Sequence, residues 1–450
     1  MRLLAGRVSE VGVGLKRQSG ESLLEAAGGA LLPGLHDHHI HLLALAAAES
    51  SLQCGPPEIE TSAALARSLT AAGAGETWLR GVGYHESVAG SLGREDLDRW
   101  QPRRPVRIQH RSGVMWMLNS AAIERLGLDT GTDAPGVDRD RDGRCTGRLF
   151  GLDLWLRERL GDAAIPPLGA VAHTLAGFGV TGVTDATVSN TDLELSALGR
   201  AIERGELSQR VLAMGGIGLS RSKHPRVARG AVKIVLAERR LPKFDELRKA
   251  IEVAHEQGRS VAIHCVTRAE LVFALTAFSE AGAQIGDRLE HASIVPPDCL
   301  DLLAGLPLTV VTQPGFLRQR GDAYVVDVEP RDRPWLYRGR GFLKAGVLLA
   351  AGSDAPFGPA DPWLAMRAAV DRRSAGGRCL GERERLTPDE ALALFQGAAE
   401  APGAGPRRVA VGADADLCLL DCDWETAREE LSSERVKATW CGGSLVYQRG

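Results

Sequence analysis

Eight short apolar segments, several separated by runs of helical periodicity, govern what this chain of 450 residues can fold into. They are LLPGLHDHHIHL (31–42), FGVTGVTDAT (178–187), RVLAMGG (210–216), AVKIVLA (231–237), SVAIHC (260–265), RLEHASIV (288–295), LTVVTQPGF (308–316) and VLLAAGSDAP (347–356). Amphipathic runs such as KFDELRKAIEVAHEQG (243–258) and RAELVFALTAFSEAG (268–282) lie between them. Strands that alternate with helices build parallel sheets, because each crossover needs a helix's length of chain. Eight such strands is the number that closes a (β/α)8 barrel. The expected fold class is therefore α/β, a TIM barrel. A fixed-period sequence repeat is absent, which argues against a solenoid.

Between the first segment and the one bearing Lys233 the chain is roughly 100 residues longer than three βα units of ~30 residues require. The surplus is assigned to an α/β insertion after the first strand, about 52–170. That stretch has strand and helix signals of its own (TWLRGVGYHES, RPVRIQHR, LNSAAIERLGL). Both chain ends are β-rich with glycine turns: RLLAGRV and GGALLPG at one end, ADLCLLD and VKATWCGGSLVYQRG at the other. The expected division is a small β-sandwich built from 1–33 and 386–450, with the barrel over 34–385.

Charge and cysteine usage narrow the function classes. The 54 basic and 57 acidic residues leave a net charge of −3, which gives no electrostatic footprint for nucleic acid or an anionic membrane. The apolar runs fall well short of the ~18 residues a spanning helix needs. The N-terminus lacks a continuous apolar stretch with a cleavage site. Eight cysteines stand singly, without a CxxC pair, so neither a thiolate zinc site nor a disulfide framework is indicated. These features describe a soluble cytoplasmic protein with a small-molecule substrate, and they leave room for a homo-oligomer.

The chemistry gathers at strand ends. His39, His41, His264 and His291 fall near the C-terminal ends of predicted strands, and Asp354 near the end of the last. Side chains alternate faces along a strand, so His39 and His41 share a face, and two imidazoles at the open end of a barrel can hold one metal ion. Lys233, His264 and His291 follow one another at intervals of about one βα unit, and Asp354 comes two units later. Only seven of the basic residues are lysines, and Lys233 lies inside an apolar strand. Burial disfavours its ammonium form, and a neutral amine can add CO2 to give a carbamate able to bridge two cations. The alternative is a lysine that snorkels or pairs with a carboxylate.

Taken together, PGLHDHHIHL (33–42), AVKIVLA, SVAIHC, RLEHASI and VLLAAGSDAPFGPADPWLAM resemble the amidohydrolase superfamily. The nearest likeness is to its metal-dependent branch acting on N-acyl or N-formyl groups. VGADADLCLLD (411–421) and TWCGGSLVY (439–447) resemble that family's composite sandwich. The resemblance implies two divalent metal ions, zinc foremost: one on His39, His41 and Asp354, the other on His264 and His291. Carboxylated Lys233 and a hydroxide would bridge them. It further implies hydrolysis of a non-peptide carbon–nitrogen bond, with Asp354 as the catalytic group that carries the proton from hydroxide to the leaving nitrogen. The alternative is a mononuclear deaminase on the same barrel, using His39, His41, His264 and Asp354 for one metal, with His291 aiding proton transfer and Lys233 structural.

Neighbouring residues are read more plainly. His36 and His38 point to the opposite face from the ligands and serve packing or hydrogen bonding. Asp37 shares the face of His39 and can orient a ligand. Glu290, next to His291, faces away. Phe316, Arg318, Arg320, Tyr324, Trp335 and Tyr337 lie in a long Arg-rich loop after strand seven. Phe316, Arg318 and Tyr324 are candidate substrate contacts, and so is Trp116 in the insertion, where the alternative is a small local core.

Overall fold

Eight strands pair in chain order into one parallel sheet in the computed structural model, which describes residues 1–129, 134–160 and 165–450. They are Leu35–Ile40 (β1), Val180–Asp185 (β2), Arg210–Gly215 (β3), Val227–Val235 (β4), Val261–Cys265 (β5), Arg288–His291 (β6), Thr309–Thr312 (β7) and Leu348–Ala351 (β8). A parallel sheet covered on both faces should read as near-continuous apolar sequence. Accordingly, every residue of β1, β2, β6 and β7 is buried. β4 starts at Val227, before the apolar run that announced it. The helices Phe244–Glu256 and Arg268–Ala281 occupy the two amphipathic runs.

The ends of the sheet meet at a seam that also sets the position of the candidate site. The Asp354 N–H donates to the carbonyl of His39 (2.7 Å), and the His41 N–H to the carbonyl of Ala355 (2.9 Å). Asp37 accepts from the backbone N–H of His39 (3.1 Å) and of Ser353 (3.0 Å) through one carboxylate oxygen. It thus pins backbone from both sides of the seam rather than an imidazole. Residue 352 must be glycine here, because a Cβ would lie 2.4 Å from the His39 nitrogen. Closure therefore brings the HxH strand and the Asp354 turn together by main-chain bonds.

The expected loop after β7 is a helix, Gly315–Asp327. Gly315, Gly321 and the mixed charges of this stretch weaken the helical signal in sequence. Packing explains Gly321: a Cβ there would come within 2.8 Å of both Leu380 and Ser374. Phe316 and Leu317 anchor the helix in a cluster with Leu336, Tyr337 and Leu380.

The two chain ends interleave. Ser444–Gln448, Val436–Cys441, Leu417–Leu420 and Leu31–Pro33 form a four-stranded antiparallel sheet in that order. Arg2–Leu4 pairs with Arg7–Glu10, and Arg7 bridges to Asp414.

Residues Leu43–Pro166 make a compact unit of their own, distinct from the unit formed by Met1–Leu42 and Pro167–Gly450. Its sheet has six strands, in the order Leu52–Gln53, Leu79–Tyr84, Val106–His110, Met115–Leu118, Cys145–Phe150 and Val137–Arg139. Leu65, Leu69, Tyr84, Leu97 and Ile108 pack one of its cores, and Trp116, Ile123, Leu126 and Leu149 another. Among the described residues no helix is long and apolar enough to cross a membrane.

Candidate metal centre

The C-terminal end of β1 carries His39 and is followed by His41, and the two side chains meet the turn after β8. The Nε2 atoms of His39 and His41 lie 3.4 and 3.2 Å from the same Asp354 oxygen. Among the described residues, these three form the group whose ligand atoms fall within 4.8 Å of one another. Asp354 adopts φ 56°, a left-handed conformation that turns its carboxylate toward the imidazoles.

Second partners fix which ring nitrogen is available. The His39 Nδ1 is held by the carboxylate of Glu290, which accepts only, so the hydrogen sits on Nδ1 and the Nε2 lone pair is left for a metal. The His41 Nδ1 is bonded to the Thr187 hydroxyl at 2.8 Å, and the Thr187 N–H donates to Asp185 at the end of β2. His291 donates from Nδ1 to the Gln313 oxygen at 2.7 Å, while the Gln313 amide nitrogen donates to the Val311 carbonyl and sets that orientation. Imidazoles tied this way are oriented before any ion arrives.

His264 and His291 extend the cluster. Their ring centroids are 4.4 Å apart, and His291 is 4.8 Å from His39. Burial lowers the pKa of all three rings, bringing His291 down to about 3. They are therefore neutral at neutral pH, the form that ligates metal.

Lys233 is opposite Ala262 in register, and Ala262 opposite Arg288. That places it two residues deeper in the barrel than the His264–Glu290 level. It is 4% exposed, and its Nζ has no hydrogen-bond partner in the protein. Burial lowers its pKa, an effect only partly offset by Glu290 and Asp354. A buried amine without a partner is costly unless something else completes it. A carbamate on this nitrogen, together with metal, would do so, and the donor set fits that group.

Glu290 corrects the sequence reading, which turned it away from the site. His264 pairs with Glu290 and Cys265 with His291. Registered residues of a parallel pair share a face, so Glu290 points inward with His264. It is His291 that departs from alternation: φ is 69° there and 43° at Ala292, ending the strand and swinging the imidazole back to the cluster. Glu290 is fully buried and bonded to Arg288, whose Nε reaches it at 2.5 Å and whose Nη2 donates to the His38 carbonyl at 2.7 Å. Burial opposes its ionisation, but Arg288, Lys233 and His39 outweigh that, and its carboxyl lies well below the usual range. The Arg-x-Glu spacing on one strand face was the sequence signal for this pair.

We expect Glu290→Gln to weaken metal binding about 10–100-fold, as loss of a ligand-orienting partner does. It should also destabilise the fold by about 3–5 kcal/mol, because the buried Arg288 loses its counter-charge. Metal titration and urea unfolding read the two effects, and unchanged values in both would contradict the assigned role.

Most of the remaining candidates have partners of their own. His36 is bonded to the Thr184 hydroxyl at 2.9 Å and lies beside the buried His38, ring centroids 4.5 Å apart. Phe316 is buried against Tyr337, and the Tyr324 hydroxyl is bonded to that of Tyr337 at 3.1 Å. Arg318 is exposed. Arg320 instead places its guanidinium over Phe316 and donates to the Phe357 carbonyl. Phe357, which the sequence reading did not single out, stands edge-on to His41 at 5.4 Å. Trp116 is buried within its own unit, with its indole N–H on Asp153 and the guanidinium groups of Arg80 and Arg107 over the ring.

Comparison with known proteins places this arrangement. Residues 23–447 match the model of the amidohydrolase family. The chain belongs to the amidohydrolase family. It is thus a metal-dependent hydrolase of non-peptide carbon–nitrogen bonds. This amidohydrolase is 27% identical to an N-substituted formamide deformylase of Arthrobacter pascens, over 95% of this chain and 90% of that one. Among solved structures it is similar in fold to an uncharacterized metal-dependent hydrolase of Pyrococcus horikoshii, with TM-score 0.73 and 24% identity over 91% of this chain and 90% of that one. A second, from Pyrococcus furiosus, has TM-score 0.68 and 24% identity over 90% of each chain.

Proposed function

We propose that this amidohydrolase is a binuclear zinc enzyme that hydrolyses the amide bond of a small N-acylated or N-formylated amine. The observation that carries the reading is the buried, partnerless Lys233 amine at the foot of a cluster of imidazoles and one carboxylate. Zinc suits a donor set of imidazole nitrogen and carboxylate oxygen. His39, His41 and Asp354 would hold one ion and His264 and His291 the other, with the carbamate of Lys233 between them. The carbamate forms when the Lys233 nitrogen lone pair bonds to the carbon of CO2 and the nitrogen loses one proton.

The ions, when bound, would lower the pKa of a water to about 7 and polarise the scissile carbonyl. The protein's own groups do the rest. Asp354 accepts the proton of the attacking water on a carboxylate oxygen and delivers it to the leaving nitrogen, since an unprotonated amine leaves poorly. Glu290, Thr187 and Gln313 keep their imidazoles from rotating. Phe357, edge-on to His41, would offer an apolar surface beside the metal centre. The relative from Arthrobacter acts on N-substituted formamides, which makes the formyl group the first acyl group to try.

Metal analysis of the purified protein should find about two ions per chain. Zinc- and manganese-loaded protein should hydrolyse members of a panel of N-formyl, N-acyl and cyclic amides, and chelation should abolish that activity. One ion per chain together with deamination would favour the mononuclear alternative. No turnover of any amide by the fully loaded protein would overturn the proposal.

A further inference from the structure

The end of the barrel opposite the metal centre holds a cavity of about 400 Å³. It opens among β3 to β6 near their N-terminal ends and is lined in part by Ala399, Glu400 and Pro402. Its size lies within the range of small-ligand pockets. Its charge is one-sided. Arg221, Arg229, Arg259 and Arg288 line it against a single carboxylate, Glu400, in a chain whose overall charge is −3.

The hydrogen bonds of these arginines show what is left unspent. Arg259 is 4% exposed and clamped by four backbone carbonyls, those of Gly216, Ile217, Gly230 and Ala231, and its buried Nε has no partner. Arg229 commits one nitrogen, Nη1, to the Leu219 carbonyl at 3.1 Å. Arg288 commits Nε and Nη2 to Glu290 and the His38 carbonyl and keeps Nη1. Arg221 is exposed at the rim. Among the described residues, Arg221, Arg229 and Arg259 form no ion pair with a carboxylate. Burial and the neighbouring charge of Arg229 bring Arg259 down to about 10.

Like charges gathered against a single cavity carboxylate repel, and the guanidinium nitrogens left uncommitted on Arg221, Arg229 and Arg288 are suited to holding an oxyanion. We propose that this basal cavity is a binding site for a small multivalent oxyanion, a phosphate or a dicarboxylate. The site is separate from the metal centre and independent of the substrate reading above. Arg288 nevertheless belongs to both: from the cavity it reaches Glu290, and Glu290 holds His39.

The test uses the metal-loaded full chain, with inorganic phosphate and succinate as probes and potassium chloride at matched ionic strength as control. Thermal unfolding should show a saturable rise in Tm of roughly 2–4 °C with at least one probe. The probe that acts assigns the anion, phosphate or carboxylate. The rise should be lost in Arg229→Ala, and also in Arg221→Ala, whose exposed side chain puts folding at little risk. Isothermal titration should give one site per chain in the parent protein and none in the variants. No saturable rise with either probe, or a rise undiminished in both variants, would overturn the proposal.

Discussion

Asp354→Asn should lower kcat/KM for the amide substrate by about 10³–10⁴ while leaving the fold in place. Two roles are lost together. The carboxylate is the oxygen on which the Nε2 atoms of His39 and His41 converge, at 3.4 and 3.2 Å. It is also the group assigned to move the proton, and general acid–base catalysis alone contributes typically ~10²–10⁴-fold. A thousandfold loss corresponds to about 4 kcal/mol of transition-state stabilisation. The replacement suits the backbone, because φ is 56° at this position and asparagine is among the few side chains that adopt that conformation readily. Hydrogen bonding at the seam uses the main chain of residue 354, which the substitution keeps. Steady-state kinetics, far-UV circular dichroism and thermal unfolding are the measurements. Activity within tenfold of the parent would remove Asp354 from the mechanism, while collapse of the fold would show that the seam, not the chemistry, depends on the charge.

Most of this geometry was legible because a barrel strand announces itself twice, by apolar run and by interval. The HxH pair at the end of β1 and the Lys233, His264 and His291 positions needed only alternation and the length of a βα unit. What escaped the sequence arose where local backbone breaks those rules. Alternation holds through Glu290 but stops at His291, so the residue judged to face outward points inward and the one judged inward arrives by a left-handed bend. Thr187 and Gln313 lie beyond strand ends, where sequence periodicity carries no directional information. The helix Gly315–Asp327 was hidden by Gly321, a residue chosen for close packing against Ser374 and Leu380 rather than for helix propensity. Phe357 follows Asp354 by three residues in a turn, and only the fold shows that it meets His41.

Lys233→Ala should reduce kcat by more than 100-fold and lower the metal content from about two ions per chain to about one. Lys233→Met should have the same effect on activity and leave the fold at least as stable as in the parent. The reason lies in the cost of the native residue: an amine 4% exposed has no protein hydrogen bond, and its burial is only partly offset by Glu290 and Asp354 unless it carries the bridging group. Methionine fills a similar length with an apolar chain and removes the desolvated nitrogen. Alanine instead leaves a cavity beneath His264 and Glu290 that a small carboxylic acid can enter. Acetate or propionate with excess metal should therefore restore part of the activity of Lys233→Ala and none of that of Lys233→Met. An independent readout is the carbamate itself: the parent protein in ¹³C-bicarbonate should show one carbamate resonance that both variants lack. Two ions and full turnover in Lys233→Ala would leave the lysine a structural residue and remove the bridging carbamate from the proposal.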